Sequence, residues 1–224
     1  MTPPVHDMRD IRDQLVVAAL AHVPFDGWAE RSLREAAKDL GFDASMGERA
    51  FPGGAVEAAI HFADLADRRL TADAAAADLR AMPVGKRIAW LVRRRLEPWT
   101  EQREVIRRAI TLLSLPNHAA DAVRATWRTV DALWYAAGDV SADFSYYTKR
   151  ATLAAIYMAT LLYWLEDKSD DFIETWAFLD RRLADARALP KWGQQVKQGL
   201  SRLPNPLALA GMTLTGRKRF GIRA

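Results

Sequence analysis

The chain has 224 residues, half of them hydrophobic, no cysteine and a formal net charge of +4. That length fits one domain, or one domain with a small satellite, and supplies a core without metal or disulfide support. The missing cysteines exclude a disulfide framework, thiolate metal sites and a cysteine nucleophile, and they suit a reducing compartment.

In chain order, residues 1–13 mix acids with polar residues and hold no apolar run, unlike a secretory signal or a mitochondrial transit peptide. Helix signals dominate from there on, and no segment alternates long enough to predict a sheet. A first helix is expected from about Met8 to His22, with Ile11, Leu15, Ala18, Ala19 and His22 on one face. His22 suits a packed or half-exposed side chain better than a ligand. Ser32-Leu33-Arg34-Glu35 reads as a capping box opening a helix that Gly41 stops. A second box, Ser45-Met46-Gly47-Glu48, starts a short helix ended by Pro52-Gly53-Gly54. Two helices joined by such a turn describe a helix-turn-helix.

Helix resumes at Ala55, and an alanine-rich, weakly specified stretch follows Leu70. Next comes a basic helix, Lys86 to Arg95, expected to turn Ile88, Leu91, Val92 and Leu96 inward and its arginines outward, with Pro98 at its end. Such a face is usually solvated; contact with lipid headgroups or an acidic partner is the second reading. Gln102 to Leu113 and Ala119 to Ala137 read as further helices, the latter carrying Val123, Trp127, Val130, Leu133 and Trp134 at helical spacing. After a polar loop, Tyr146 to Leu165 is apolar on nearly all sides, which predicts a central buried helix. Thr152 and Thr160 interrupt it, and a membrane span needs roughly 20 apolar residues. A last body helix should turn Phe172, Trp176, Leu179 and Leu183 inward.

The residue types for catalysis are present but not assembled. His6, His22, His61 and His118 make no metal pattern with carboxylates, and no phosphate-cradling glycine loop, zinc-type motif or nucleophile elbow occurs. No cofactor is expected. The helix-turn-helix raises DNA binding, and the arrangement resembles the TetR regulator fold. Charge argues against that use: residues 1–60 carry six basic and ten acidic side chains, whereas DNA affinity rests largely on neutralising phosphates. The short second helix offers few base-reading donors beyond Ser45 and Arg49.

The C-terminal stretch 191–224 holds seven basic residues and no acid, against 25 basic and 28 acidic residues in the rest. Trp192, Val196, Gly199, Leu200 and Leu203 fall on one helical stripe, and Lys191, Lys197 and Arg202 with Gln194, Gln195, Gln198 and Ser201 fill the other face and its borders. Pro204 stops the pattern. A basic amphipathic helix with an interfacial tryptophan suits a headgroup layer. There a buried large side chain contributes about 1.5–3 kcal/mol and each nearby cation about 1 kcal/mol. The membrane-binding set is therefore Trp192, Val196, Lys197, Leu200, Arg202 and Leu203; the alternative is a helix packed on its own domain.

The run from Trp134 to Tyr157, W-Y-A-A-G-D-V-S-A-D-F-S-Y-Y-T-K-R-A-T-L-A-A-I-Y, together with D-F-I-E-T-W-A-F-L-D-R-R ending at Arg182 and the F-P-G-G turn at Phe51, is similar to the ubiquinone-biosynthesis accessory family. This family comprises the ninth Coq protein of mitochondria and its bacterial relatives. The resemblance covers roughly residues 8–190. It implies a TetR-like homodimer without regulator function that binds isoprenoid quinone precursors in an apolar cavity and reaches the membrane through a C-terminal amphipathic helix. It also implies assistance to the di-iron hydroxylase acting on demethoxyubiquinone, through a patch that maps to Leu133, Asp143, Tyr146 and Tyr147. Mitochondrial members often carry Trp-Tyr where this chain has Tyr146-Tyr147; tyrosine keeps an aromatic body with a polar tip.

The expected architecture is all-α and TetR-like: a helix-turn-helix subdomain over 1–70, a helical bundle with a lipid cavity over 71–190, and a basic tail over 191–224. Leu153, Ile156, Tyr157 and Leu161 of the central helix should line the cavity. The expected function is non-catalytic: lipid binding at the inner face of a bacterial membrane and presentation to the hydroxylase, with no nucleic-acid partner. The alternative is a TetR-type, ligand-responsive transcription regulator.

Overall fold

The computed structural model describes residues 7–139 and 144–200; of 144–145 and 188–200 it describes the backbone only. Asp7 caps α1 (Met8–Ala19) by accepting from the Arg9 backbone N–H at 3.2 Å, and α1 buries Ile11, Leu15, Val16 and Ala19. His22 lies past the end of α1, half-buried, with Nε2 at 2.6 Å from an Asp39 carboxylate oxygen. A single turn, α2 (Val23–Asp26), ends at Gly27, whose φ of 74° suits glycine best.

That turn overturns the first capping box. Helix α3 (Glu30–Asp39) begins before Ser32, with Ala29 as its N-cap, and Ser32 lies buried in the first turn. Its hydroxyl donates to the Gly27 carbonyl at 2.6 Å, while Glu35 accepts from Lys38 at 2.9 Å instead of reaching back. The second box gives the right start and the wrong bond. Helix α4 (Met46–Ala50) does begin after Ser45, yet the Ser45 N–H and hydroxyl both donate to one Asp43 oxygen, at 2.9 and 2.5 Å. Asp43 closes the turn, and Ser45 is consumed by it. Gly47 then lets α4 approach α3: a Cβ there would meet Leu33 at 3.0 Å.

The bundle follows as α5 (Gly54–Ala76), α6 (Val84–Leu96), α7 (Arg103–Leu113), α8 (Ala119–Ala136), α9 (Phe144–Glu166) and α10 (Ile173–Leu200). Among the described residues there is no strand. The fold is all-α. Helix α1 docks on α5 through ion pairs as well as apolar contact. Arg12 reaches Glu57 at 2.6 Å, and Asp13 accepts from His61 and Arg68, each at 2.6 Å. Burial holds the His61 imidazole below its usual range, while Asp13 stays a carboxylate because these two donors outweigh the opposite effect of its burial.

Two expected core faces are placed differently. On α8 the buried residues are Ala125, Thr129, Val130 and Leu133, whereas Val123 and Tyr135 are exposed and Trp127 is half-buried. Val130 and Leu133 of the expected stripe are fully buried, and small Ala125 and Thr129 extend the covered face where Val123 and Trp127 were expected. Helix α9 is apolar all round, yet Ala151, Ala155, Ala159 and Leu162 lie exposed along one side while Leu153, Ile156, Tyr157, Thr160, Leu161 and Trp164 are buried.

By packing, the chain divides into Met1–Leu183 and Ala184–Ala224. The expected boundary at 70 falls inside α5 and that at 190 inside α10. Within the first unit the α9–α10 turn holds Asp171 and Phe172 at φ of 50° and 55°, each costing about 1–2 kcal/mol. Arg103 stacked over the Phe172 ring at 5.0 Å and the Trp176 indole N–H on the Asp171 carbonyl at 2.9 Å offset that strain. Before the turn sits Asp167, a buried carboxylate that accepts from the N–H and hydroxyl of both Ser169 and Thr175. Its burial would raise the pKa, but these hydrogen bonds outweigh it and lower it to about 2.

Candidate functional site

Small residues facing one another make the hollow in the bundle. Ala59 and Ala63 on α5, Ala109 on α7 and Ala122 and Ala125 on α8 line a cavity of about 190 Å³. Helices held apart by larger neighbours leave free space wherever alanines meet, since close packing elsewhere prevents full collapse. Phe62, Leu96, Ile106 and Leu161 supply apolar walls. Toward the surface the lining consists of half-buried Ile110, Leu113 and Met158 and exposed Ser114.

The innermost part is polar, and sequence reasoning missed it. Arg95 is 6% exposed and lines the cavity, although its helix was expected to turn every arginine outward. The signal was available: Ile88, Leu91, Val92, Arg95 and Leu96 occupy i, i+3, i+4, i+7 and i+8, so position 95 belongs to the inward stripe. Burial is tolerable because Asp67, in the buried face of α5, takes the Arg95 Nε–H at 2.7 Å, and the Ala63 carbonyl takes an Nη2–H at 3.0 Å. Thr129 donates to the other Asp67 oxygen at 2.9 Å. Tyr157 completes the base; burial pushes its pKa up from the ordinary value, so its hydroxyl keeps its proton.

Two of the four expected cavity residues, Tyr157 and Leu161, line this hollow; Leu153 and Ile156 are buried but are not part of its lining. Of the expected partner patch, Leu133 is fully buried beneath α8, Tyr146 is half-buried, Tyr147 is 63% exposed and Asp143 lies outside the described residues. Around Tyr146 the polar groups are tightly organised. Its hydroxyl donates to Asp131 at 3.1 Å, and Arg150 stacks on its ring at 3.4 Å while bonding Asp131 at 2.6 Å. Tyr147 sits between Tyr146 and Trp127, at 5.1 and 6.3 Å between ring centres. Tyr135, further along α8, is also exposed. The expected membrane-binding residues Trp192, Val196, Lys197 and Leu200 lie on α10, where the backbone alone is described; Arg202 and Leu203 lie outside the described residues.

Among the described residues, no group of three or more His, Asp or Glu side chains is placed to hold a metal ion. None of their helices is long and apolar enough to cross a membrane.

Comparison with known proteins places this architecture. A family model described as COQ9 matches residues 119–190, the segment from α8 into α10. The human ubiquinone biosynthesis protein COQ9, mitochondrial, is 33% identical over 214 residues, covering 91% of this chain and 66% of the relative. Its counterpart in Rattus norvegicus is 34% identical over 214 residues, covering 91% and 67%. The chain belongs to the COQ9 family. It spans just under two thirds of the human COQ9 length. A solved TetR transcriptional regulator from Nitrosomonas europaea superposes on this COQ9-family chain with a TM-score of 0.65 and 25% identity, covering 79% of this chain and 98% of the regulator. The chain is therefore TetR-like in fold.

Proposed function

We propose that this chain is a non-catalytic, lipid-binding accessory protein of ubiquinone biosynthesis, the process named in its human and rat relatives. The observation that carries this reading is the largely apolar cavity of about 190 Å³ inside the bundle. Concave, mainly apolar sites with a few placed polar groups are how proteins hold small hydrophobic ligands. An isoprenoid quinone intermediate is the ligand class that joins the cavity to the family. The test is to purify the full chain from membranes of its host or from a quinone-producing bacterium and identify extracted lipids by mass spectrometry. Isoprenoid quinones or their precursors should co-purify in stoichiometric amount; a protein devoid of any lipid would remove the reading.

In this proposal the tail docks on the anionic inner face of a bacterial membrane. Its seven cations and absence of acids support this. Trp192→Asp with Leu200→Asp should abolish sedimentation with anionic liposomes. The hydroxylase of demethoxyubiquinone type would dock on the aromatic surface around Tyr147, whose exposure beside acids suits an interface anchor. A second copy would cover the exposed apolar side of α9, forming a homodimer.

The likeness to a TetR regulator favours a second reading, a ligand-responsive DNA-binding protein. Its reading helix would be α4, only five residues long, within a head of net negative charge. A gel shift on the gene's own upstream region, at stated salt, separates the two readings: specific retardation supports the regulator.

A further inference from the structure

We infer that the surface cleft bordered by α1, α5 and α8 is a binding site for a phosphate group, held by Arg9, Arg12 and Arg128. It is separate from the bundle cavity and shares no lining residue with it.

Helix α5 lines the cleft with Glu57, Ile60, His61 and Asp64, at i, i+3, i+4 and i+7 on one face. Met8, Arg9 and Arg12 of α1 and Arg128 of α8 complete it, around a space of about 570 Å³. The lining holds more donors than its own acceptors use. Each guanidinium carries five N–H groups. Arg12 donates one to Glu57 at 2.6 Å and Arg128 one to the Ile60 carbonyl at 3.2 Å, while the Arg9 side chain has no partner among the described residues. The Nε–H groups of Arg12 and Arg128 are both buried and bond nothing among the described residues. Arg128 Nε lies 3.6 Å from Asp64 and 3.7 Å from Asp67, near enough for charge pairing and too far for a hydrogen bond. The lining carboxylates are already engaged: Glu57 takes Arg12 and the Gly53 N–H at 2.8 Å, and Asp64 takes the Arg68 Nε–H at 3.0 Å. A buried donor without an acceptor is costly. A small turn of either guanidinium toward an entering oxygen removes that cost.

Charge and shape select the ligand. Three arginines against Glu57 and Asp64 leave one positive charge in the lining, since burial keeps His61 neutral. Behind the lining, Asp13 and Asp67 are matched by Arg68 and Arg95, so the surplus is not cancelled from below. An anion gains from that surplus, and a neutral group does not. Guanidinium groups carried by two different helices suit the tetrahedral oxygens of a phosphate, which point in several directions; a planar carboxylate presents both oxygens along one edge. Met8 and Ile60 add apolar contact for whatever carries the phosphate. A soluble phosphate compound and a phospholipid headgroup offer this same chemistry.

The experiment titrates the full-length chain by calorimetry, at constant ionic strength, with inorganic phosphate, glycerophosphoglycerol (the deacylated headgroup of an anionic phospholipid) and acetate. Both phosphate compounds should saturate in the millimolar range, and acetate should bind more weakly. Tighter binding of glycerophosphoglycerol assigns the site to a lipid headgroup, and tighter binding of inorganic phosphate assigns it to a soluble compound. Arg12→Gln should weaken phosphate about tenfold, the effect of one charged hydrogen bond. Arg9→Gln, at an exposed side chain, should weaken it about threefold. Glu57→Gln should strengthen it, because it releases Arg12 and keeps an acceptor for the Gly53 N–H; a merely structural role for Glu57 predicts no gain. In proton–nitrogen NMR the Nε–H signals of Arg12 and Arg128 should move downfield as phosphate is added. Equal binding of acetate would overturn the phosphate assignment. Absence of saturable binding by every probe, or affinities untouched by Arg9→Gln and Glu57→Gln, would overturn the site and leave the reading of the bundle cavity standing.

Discussion

Two buried polar clusters in the first unit each centre on an aspartate and differ in what they join. Asp167 receives four hydrogen bonds from two residues close in sequence, and they stitch the end of α9 to the start of α10. The Arg95–Asp67–Thr129 cluster joins α6, α5 and α8, three helices far apart in sequence, and borders a cavity. Buried polar groups are normally satisfied, so the Asp167 cluster, which only ties two neighbouring helix ends, is explained by stability alone. The one that borders the cavity also puts polar groups into the wall of a largely apolar hollow.

The largest expected effect that would break this contrast is at Arg95. Arg95→Met takes from the buried Asp67 carboxylate its nearer cation, leaving Arg128 at 3.7 Å, and should destabilise the chain by about 3 kcal/mol, read by urea unfolding. Adding Asp67→Leu should restore most of that loss, because replacing both partners of a buried pair with apolar groups is often neutral. If the double variant were as unstable as the single, the pair would be holding the helices together beyond mere charge compensation.

Next in size is Asp167→Asn, which replaces one acceptor oxygen with a donor and loses two bonds from Thr175 or Ser169. The expected loss is about 2 kcal/mol. The sign of its pH dependence follows from the depressed pKa. With a folded value of about 2 against an ordinary 3.8, Asp167 stabilises the fold fully above about pH 4. That contribution fades as pH falls from there toward 2. Unfolding midpoints between pH 5 and 2 should therefore fall less steeply in Asp167→Asn than in the unaltered chain. Identical slopes would mean that the carboxylate is not held in its charged form.

Smaller still, Ser32→Ala should cost about 1 kcal/mol, since it removes one hydrogen bond to the Gly27 carbonyl. Glu35→Ala, by contrast, should cost only a few tenths, as expected for an exposed ion pair. A true capping box would make the two losses similar, so their ratio checks the corrected start of α3.

Much of the fold could be read from local pattern. Apolar spacing located the bundle helices, Pro98 and Gly138 marked ends, and Ser45 marked the start of α4. The candidate site was legible only in part. Tyr157 and Leu161 were anticipated from the apolar density of α9, and their neighbours were not, because the hollow exists where alanines of three helices converge. Each of those alanines is unremarkable along its own helix.

The sequence by itself determined the all-helical class, the helix order, the acidic body and the basic tail, since these depend on local spacing and on charge counts. Tertiary structure decided which side of α8 and α9 is covered, that Arg95 turns inward, and that it meets Asp67 from 28 positions away. The physical reason is burial: an arginine on an apolar stripe becomes tolerable only when another helix brings it a carboxylate, and periodicity within one helix carries no information about that partner.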